Sequence, residues 1–150
     1  MKNIFIGLLV ALLAAACHSH SQDTEGGHAH NTDGSHPVAA ETELEALAFT
    51  LYTAKTELFV EFKPLVVGQE SRFAAHFTTL GESFKAIGEG SVTLTMSGPV
   101  GSQSVTADAP QVPGIFRLRM TPEKQGLYKL TFDIKTSAYT DQVVLDSVTV

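Results

Sequence analysis

Five of the six histidines in this chain crowd into one stretch near its start: His18, His20, His28, His30 and His36. Two pairs, His18 with His20 and His28 with His30, are separated by a single residue, and Asp23, Glu25 and Asp33 stand among them. Neutral imidazole is a ligand for zinc, copper and nickel, and carboxylates can complete such a shell. The stretch holds far more histidine than average usage would place there, so the chemistry expected of it is capture of zinc, copper or a similar divalent metal. The alternative is a polar linker that is rich in histidine and binds nothing. With neither cysteine nor a methionine cluster between residues 18 and 43, a selective Cu(I) site is not expected there.

Other residue types that carry chemistry have plainer readings. His76 stands alone on the polar side of a predicted strand, where a surface position is expected rather than a ligand. Met96 and Met120 fall on apolar sides and are expected to fill core rather than bind copper through sulfur. Arg117, Arg119, Lys129 and Lys135 would share the outer face of one hairpin, either a docking surface for an acidic partner or a solvated face that discourages edge pairing. There is no Gly-rich phosphate loop, no nucleophile elbow and no His-Glu-x-x-His, so an enzyme is not expected.

The histidines follow directly on a distinct N-terminal segment. Lys2 supplies a positive charge, Ile4 to Leu13 form an apolar run broken only by Gly7, and Ala14, Ala15 and Ala16 are small. This order of charge, apolar run and small residues is that of a secretory signal peptide, expected over residues 1–16. The run is shorter than the ~20 residues that span a bilayer. A buried N-terminal helix would carry a polar face, and this run has none. Cys17 is the only cysteine, so no disulfide can form within the chain. Leu13-Ala14-Ala15-Ala16-Cys17 resembles a bacterial lipobox, in which the cysteine is acylated and becomes the first residue of the mature protein. Ala14 stands where leucine is commonest in that motif. The resemblance implies a lipid on Cys17 and a place in the cell envelope, anchored to a membrane and facing the periplasm.

Residues 17–43 are expected to be a flexible tether. From His18 to Pro37 no aliphatic residue is larger than alanine, too little apolar surface to offset the entropy of ordering. From 44 to 150 the pattern changes to period two. Phe49 and Leu51; Leu58, Val60 and Phe62; Phe73, Ala75 and Phe77; Val92, Leu94 and Met96; Phe116, Leu118 and Met120; and Tyr128, Leu130, Phe132 and Ile134 each alternate with mostly polar residues. Val143 and Leu145 begin a last strand, and Val148 and Val150 continue it on the other parity, which predicts a bulge near Asp146-Ser147. Pro64 and Gly68, Gly88-Glu89-Gly90, Gly98-Pro99, and Pro113-Gly114 supply turns, and Thr121 to Gly126 reads as the loop of a hairpin. Seven or so half-apolar strands predict an all-β, immunoglobulin-like antiparallel β-sandwich, with a small β-barrel as the second choice.

Charge narrows the partners. The whole chain has ten basic and sixteen acidic residues. Loss of Lys2 with the signal peptide leaves nine basic, a balance of −7, and no nucleic-acid partner is expected of so acidic a chain. The length fits one domain with a tail.

The segment Thr50 to Phe73, with Glu89-Gly90-Ser91-Val92-Thr93-Leu94, Pro113-Gly114-Ile115-Phe116 and Gly126-Leu127-Tyr128-Lys129-Leu130, resembles the N-terminal extension of the periplasmic adaptor subunits of heavy-metal RND efflux pumps, the membrane fusion proteins. The resemblance covers roughly residues 47–150. It implies a role in exporting ions such as copper, silver, zinc, cobalt or cadmium, with an inner-membrane RND pump and an outer-membrane channel as partners. The chain has no lipoyl-like halves and no long helical hairpin, and its apolar strand pattern runs on to Val150. It is therefore expected to be the front of a longer adaptor or a truncated relative. Only the histidines at 18, 20, 28, 30 and 36 could take the metal-capturing role. Two other readings fit the same residues: a free-standing metal-binding lipoprotein, and a cell-surface sandwich that binds a protein or glycan.

Overall fold

The computed structural model describes residues 44–82 and 84–150. The expected signal peptide and tether, with Cys17 and the histidines at 18, 20, 28, 30 and 36, lie outside the described residues.

The period-two segments all become strands. In chain order they are β1 (Leu47–Tyr52), β2 (Thr56–Phe62), β3 (Ser71–Thr79), β4 (Lys85–Ala86), β5 (Ser91–Gly98), β6 (Gly101–Ala107), β7 (Ile115–Met120), β8 (Leu127–Lys135) and β9 (Thr140–Thr149). One sheet runs β1-β2-β3, with β7 and the short β4 both paired to β3. The second sheet runs β6-β5-β8-β9. Every pairing is antiparallel. Neighbours β3 and β7 in one sheet, and β5, β8 and β9 in the other, give the connectivity of an immunoglobulin-like sandwich rather than a closed barrel.

Alternation dictates the core. Leu58, Val60, Phe73, Ala75, Phe77, Phe116 and Leu118 point inward from the first sheet, and Val92, Leu94, Met96, Leu130, Phe132 and Ile134 from the second. Met96 and Met120 are buried core residues, as expected. The Phe77 ring sits edge-on to Phe116 in its own sheet at 5.6 Å and to Phe132 in the opposite sheet at 6.2 Å. Such pairs are favoured by the ring quadrupole and add to the ~2 kcal/mol that each buried aromatic gains by leaving water.

Three features refine the sequence reading. First, the bulge lies where parity placed it. Tyr128 pairs with Val148 and Leu130 with Leu145, so Asp146 and Ser147 together oppose Lys129. Ser147 adopts φ 62°, the left-handed conformation that lets the strand change face. Second, two strands went unforeseen: β4, only two residues long, and β6, whose sequence Gly-Ser-Gln-Ser-Val-Thr-Ala has almost no apolar signal.

Third, Thr121 to Gly126 is not a hairpin loop. It carries the chain from β7 in one sheet to β8 in the other. A hairpin and a crossover both read as turn residues between two alternating strands, so pattern alone does not separate them. The crossover is held at several points. Gly68 N–H donates to the Pro122 carbonyl at 2.9 Å, and Gly126 exchanges backbone hydrogen bonds with Val150. Tyr128, at the start of β8, donates its hydroxyl hydrogen bond to the Lys124 carbonyl four residues upstream, at 2.9 Å. This is the tyrosine corner of immunoglobulin-like folds. The ring lies over Gly98 of β5, where a Cβ would run into it. Tyr128→Phe removes one net hydrogen bond and should lower unfolding free energy by about 1 kcal/mol in urea titration. Unchanged stability would show that the corner does not hold the crossover.

Candidate functional site

Among the described residues the chemistry-bearing side chains occupy two outer sheet faces and one end of the sandwich. The rows of the first face follow from strand register. Ala48, Glu61, Ala74 and Arg117 form one row, and Thr50, Phe59, His76 and Ile115 the next. His76 is half-buried on this outer face, edge-on to the Phe59 ring at 6.0 Å. Arg72 and Arg119 are direct cross-strand neighbours of like charge. Glu70 relieves the repulsion, since one carboxylate oxygen accepts from Arg72 Nε at 3.2 Å and Arg119 Nη1 at 3.3 Å. All three groups are substantially exposed, so each pair contributes little to stability.

The outer face of the second sheet is lined with hydroxyls. Thr93 pairs with Thr106 at 2.8 Å, Thr95 with Ser104 at 2.9 Å and Ser97 with Ser102 at 2.9 Å, three successive rungs between β5 and β6. Cross-strand hydroxyl pairs of this kind hold an edge strand in register. Beyond them Gln142 donates to Asp133 at 2.7 Å, and Lys129 Nζ lies 3.9 Å from Asp146.

These positions correct the reading of the basic residues. Arg117 and Arg119 belong to the outer face of the first sheet, and Lys129 and Lys135 to that of the second. They do not share a face, because the segment between them crosses from one sheet to the other.

The polar end of the sandwich joins turns far apart in sequence. Thr53 Oγ1 donates to Asp141 Oδ2 at 2.5 Å across 88 residues. The Tyr139 hydroxyl lies 3.2 Å from Thr56 Oγ1 and 3.1 Å from Thr79 Oγ1, and Lys55 Nζ sits 5.8 Å from the Tyr139 ring centroid. Thr56 is fully buried there, so its hydroxyl needs this partner. Burial raises the Asp141 pKa, but hydrogen bonds from Thr53, Thr56 and the Gln142 N–H, with the positive charge of Lys55, outweigh it and hold the carboxyl below its ordinary value. Glu89 is likewise held down by the backbone N–H and the hydroxyl of Ser137. Nothing in sequence spacing could have signalled these contacts.

The described residues hold no group of three or more His, Cys, Asp and Glu able to share a metal ion. The residues expected to bind metal or lipid lie outside them. Among the described residues no helix is long and apolar enough to cross a membrane. Compared with known protein families, curated proteins and solved structures, the chain matches none.

The lowered pKa of Asp141 has a definite consequence. A depressed carboxyl stabilises the fold above its unfolded-state value of ~3.9, and that contribution fades as pH falls through the folded-state value. Wild type should therefore melt higher than Asp141→Asn at pH 7, and the gap should close as pH falls below about 4. A gap that stays constant down to pH 2 would assign the effect to something other than the carboxylate charge.

Proposed function

We propose that this chain is a membrane-anchored, non-enzymatic accessory module of a heavy-metal RND efflux adaptor. It binds divalent metal through His18, His20, His28, His30 and His36, and it docks against the inner-membrane pump and outer-membrane channel through its sandwich. The single observation that carries the reading is the run of five histidines directly after a lipobox-like cysteine. That order sets the imidazoles between an anchor and a folded domain, at the membrane surface where an exported ion emerges. The adaptor-like stretches within residues 47–150 support the assignment to efflux. An immunoglobulin-like sandwich suits docking, because it presents two broad outer faces and leaves its chemistry to surface residues.

Zinc or copper titration by calorimetry tests the metal role. The full chain should bind at least tenfold more tightly than a variant with the five histidines changed to alanine. Equal affinity in both would remove that role. The anchor is tested separately. Cys17→Ser should move the chain from the membrane pellet to the soluble envelope fraction, because an unmodified serine offers no site for the acyl chains. Persistence in the pellet would rule out lipid on Cys17 as the attachment.

A further inference from the structure

The two ends of the sandwich differ in charge and in what their loops expose. β1 begins beside the end of β2, with Leu47 opposite Phe62, so residues 1–43 join the fold at this end. The same end carries the β2–β3 loop, the β5–β6 turn and the β7–β8 crossover. Backbone contacts bind these three connections into one tip. Gly68 N–H donates to the Pro122 carbonyl, and Gly126 lies so close to the Pro99 ring that a Cβ there would clash with it.

Each connection leaves an apolar side chain in water: Val67 in the first, Val100 in the second, and Leu127, 64% exposed, directly after the third. None of the three belongs to the core. Exposed apolar residues scattered singly are ordinary, but these stand on adjoining loops with Pro99 and Pro122 between them.

A tier of cations lies just behind the tip. Arg72 is the second residue of β3, Arg119 the last but one of β7 and Lys129 the third of β8. The two arginines flank the tip on the outer face of one sheet and Lys129 on that of the other. Glu70 engages only Arg72 Nε and Arg119 Nη1, which leaves most donors of both exposed guanidinium groups to solvent. With Lys63 and Lys124, five cations at this end stand against four carboxylates, Glu45, Glu70, Glu123 and Asp146. At the far end three lysines, at 55, 85 and 135, stand against six: Glu57, Glu82, Glu89, Asp108, Asp133 and Asp141. Phe84 is exposed there, two residues from Glu82.

We propose that the tip is a membrane-contact surface: Val67, Val100 and Leu127 enter the boundary between headgroups and acyl chains of an anionic bilayer, and Arg72, Arg119 and Lys129 meet its lipid phosphates. The order of the groups matches the order of the interface, with apolar side chains outermost and cations one tier behind. A planar guanidinium suits a phosphate in particular. Although the whole chain is acidic, its charge is uneven, and that turns this end toward an anionic surface and the far end away. A protein partner fits less well. Stable interfaces bury ~800 Å² on each side in close complementarity, whereas a lipid surface accepts separate side chains on separate loops. The inference draws on the proposed membrane anchor only for proximity, because the surface itself is built from the sandwich.

The chain has no tryptophan, so an introduced one reports its own surroundings alone. Leu127→Trp and Val100→Trp probe the tip and Phe84→Trp the far end; all three positions are exposed, and urea unfolding checks that each variant keeps the fold. Each full-length variant is reconstituted into vesicles of phosphatidylethanolamine and phosphatidylglycerol, with or without brominated acyl chains. A chain recovered in soluble form would sink the anchor reading alone, and the same vesicles are then added to it for the same comparison. Brominated lipid should quench the two tip probes at least about twofold more than the Phe84→Trp probe. Adding Arg72→Gln and Arg119→Gln together should remove about half or more of the tip quenching. Tip probes quenched no more than Phe84→Trp, or tip quenching untouched by loss of both arginines, overturns the proposal. Should Leu127→Trp disturb β8, Val100→Trp, which stands in a turn, carries the same test.

Discussion

Phe77 is where the two sheets meet, and the arrangement of everything else follows from that contact. Its ring sits edge-on to Phe116 within its own sheet and to Phe132 in the opposite one. Sheets packed face to face stand ~10 Å apart, a gap that side chains of this size fill. Ala75, two residues before Phe77 on the same inward side, is fully buried and makes room among the larger side chains. With the seam fixed, strand alternation leaves no freedom outside it. Each inward aromatic forces its neighbours outward, and this is why His76 and Thr78 stand on the outer face of the first sheet beside Glu57, Phe59 and Glu61. The outer faces are consequences of the core, and any binding chemistry they carry was placed by it.

Most of the sandwich was legible because burial on one side writes period two into the sequence. Even the bulge in β9 could be read, since a change in the parity of Val143, Leu145, Val148 and Val150 has few other causes. β6 escaped for the opposite reason. Its inward side offers only Gln103, Val105 and Ala107, all partly buried, while its outward side pairs hydroxyls with β5, and alternating serine and threonine look like a loop. The crossover between β7 and β8 was misread because local turn chemistry does not record which sheet the next strand joins. That choice is made by partners distant in sequence: Gly68 on Pro122 and Val150 on Gly126, with the Tyr128 hydroxyl fixing the corner.

The candidate chemistry divides along the same line. The histidines between 18 and 36 are conspicuous by composition, and no packing is needed to notice them. The contacts of Asp141, Tyr139 and Thr56 are invisible to any window, because the turns they join come together only when both sheets have closed. They make that end of the sandwich a joint: the β1–β2 turn from one sheet is bonded to the β8–β9 turn of the other. The joint lies at one end of β1, so it fixes the position of that edge strand relative to the core.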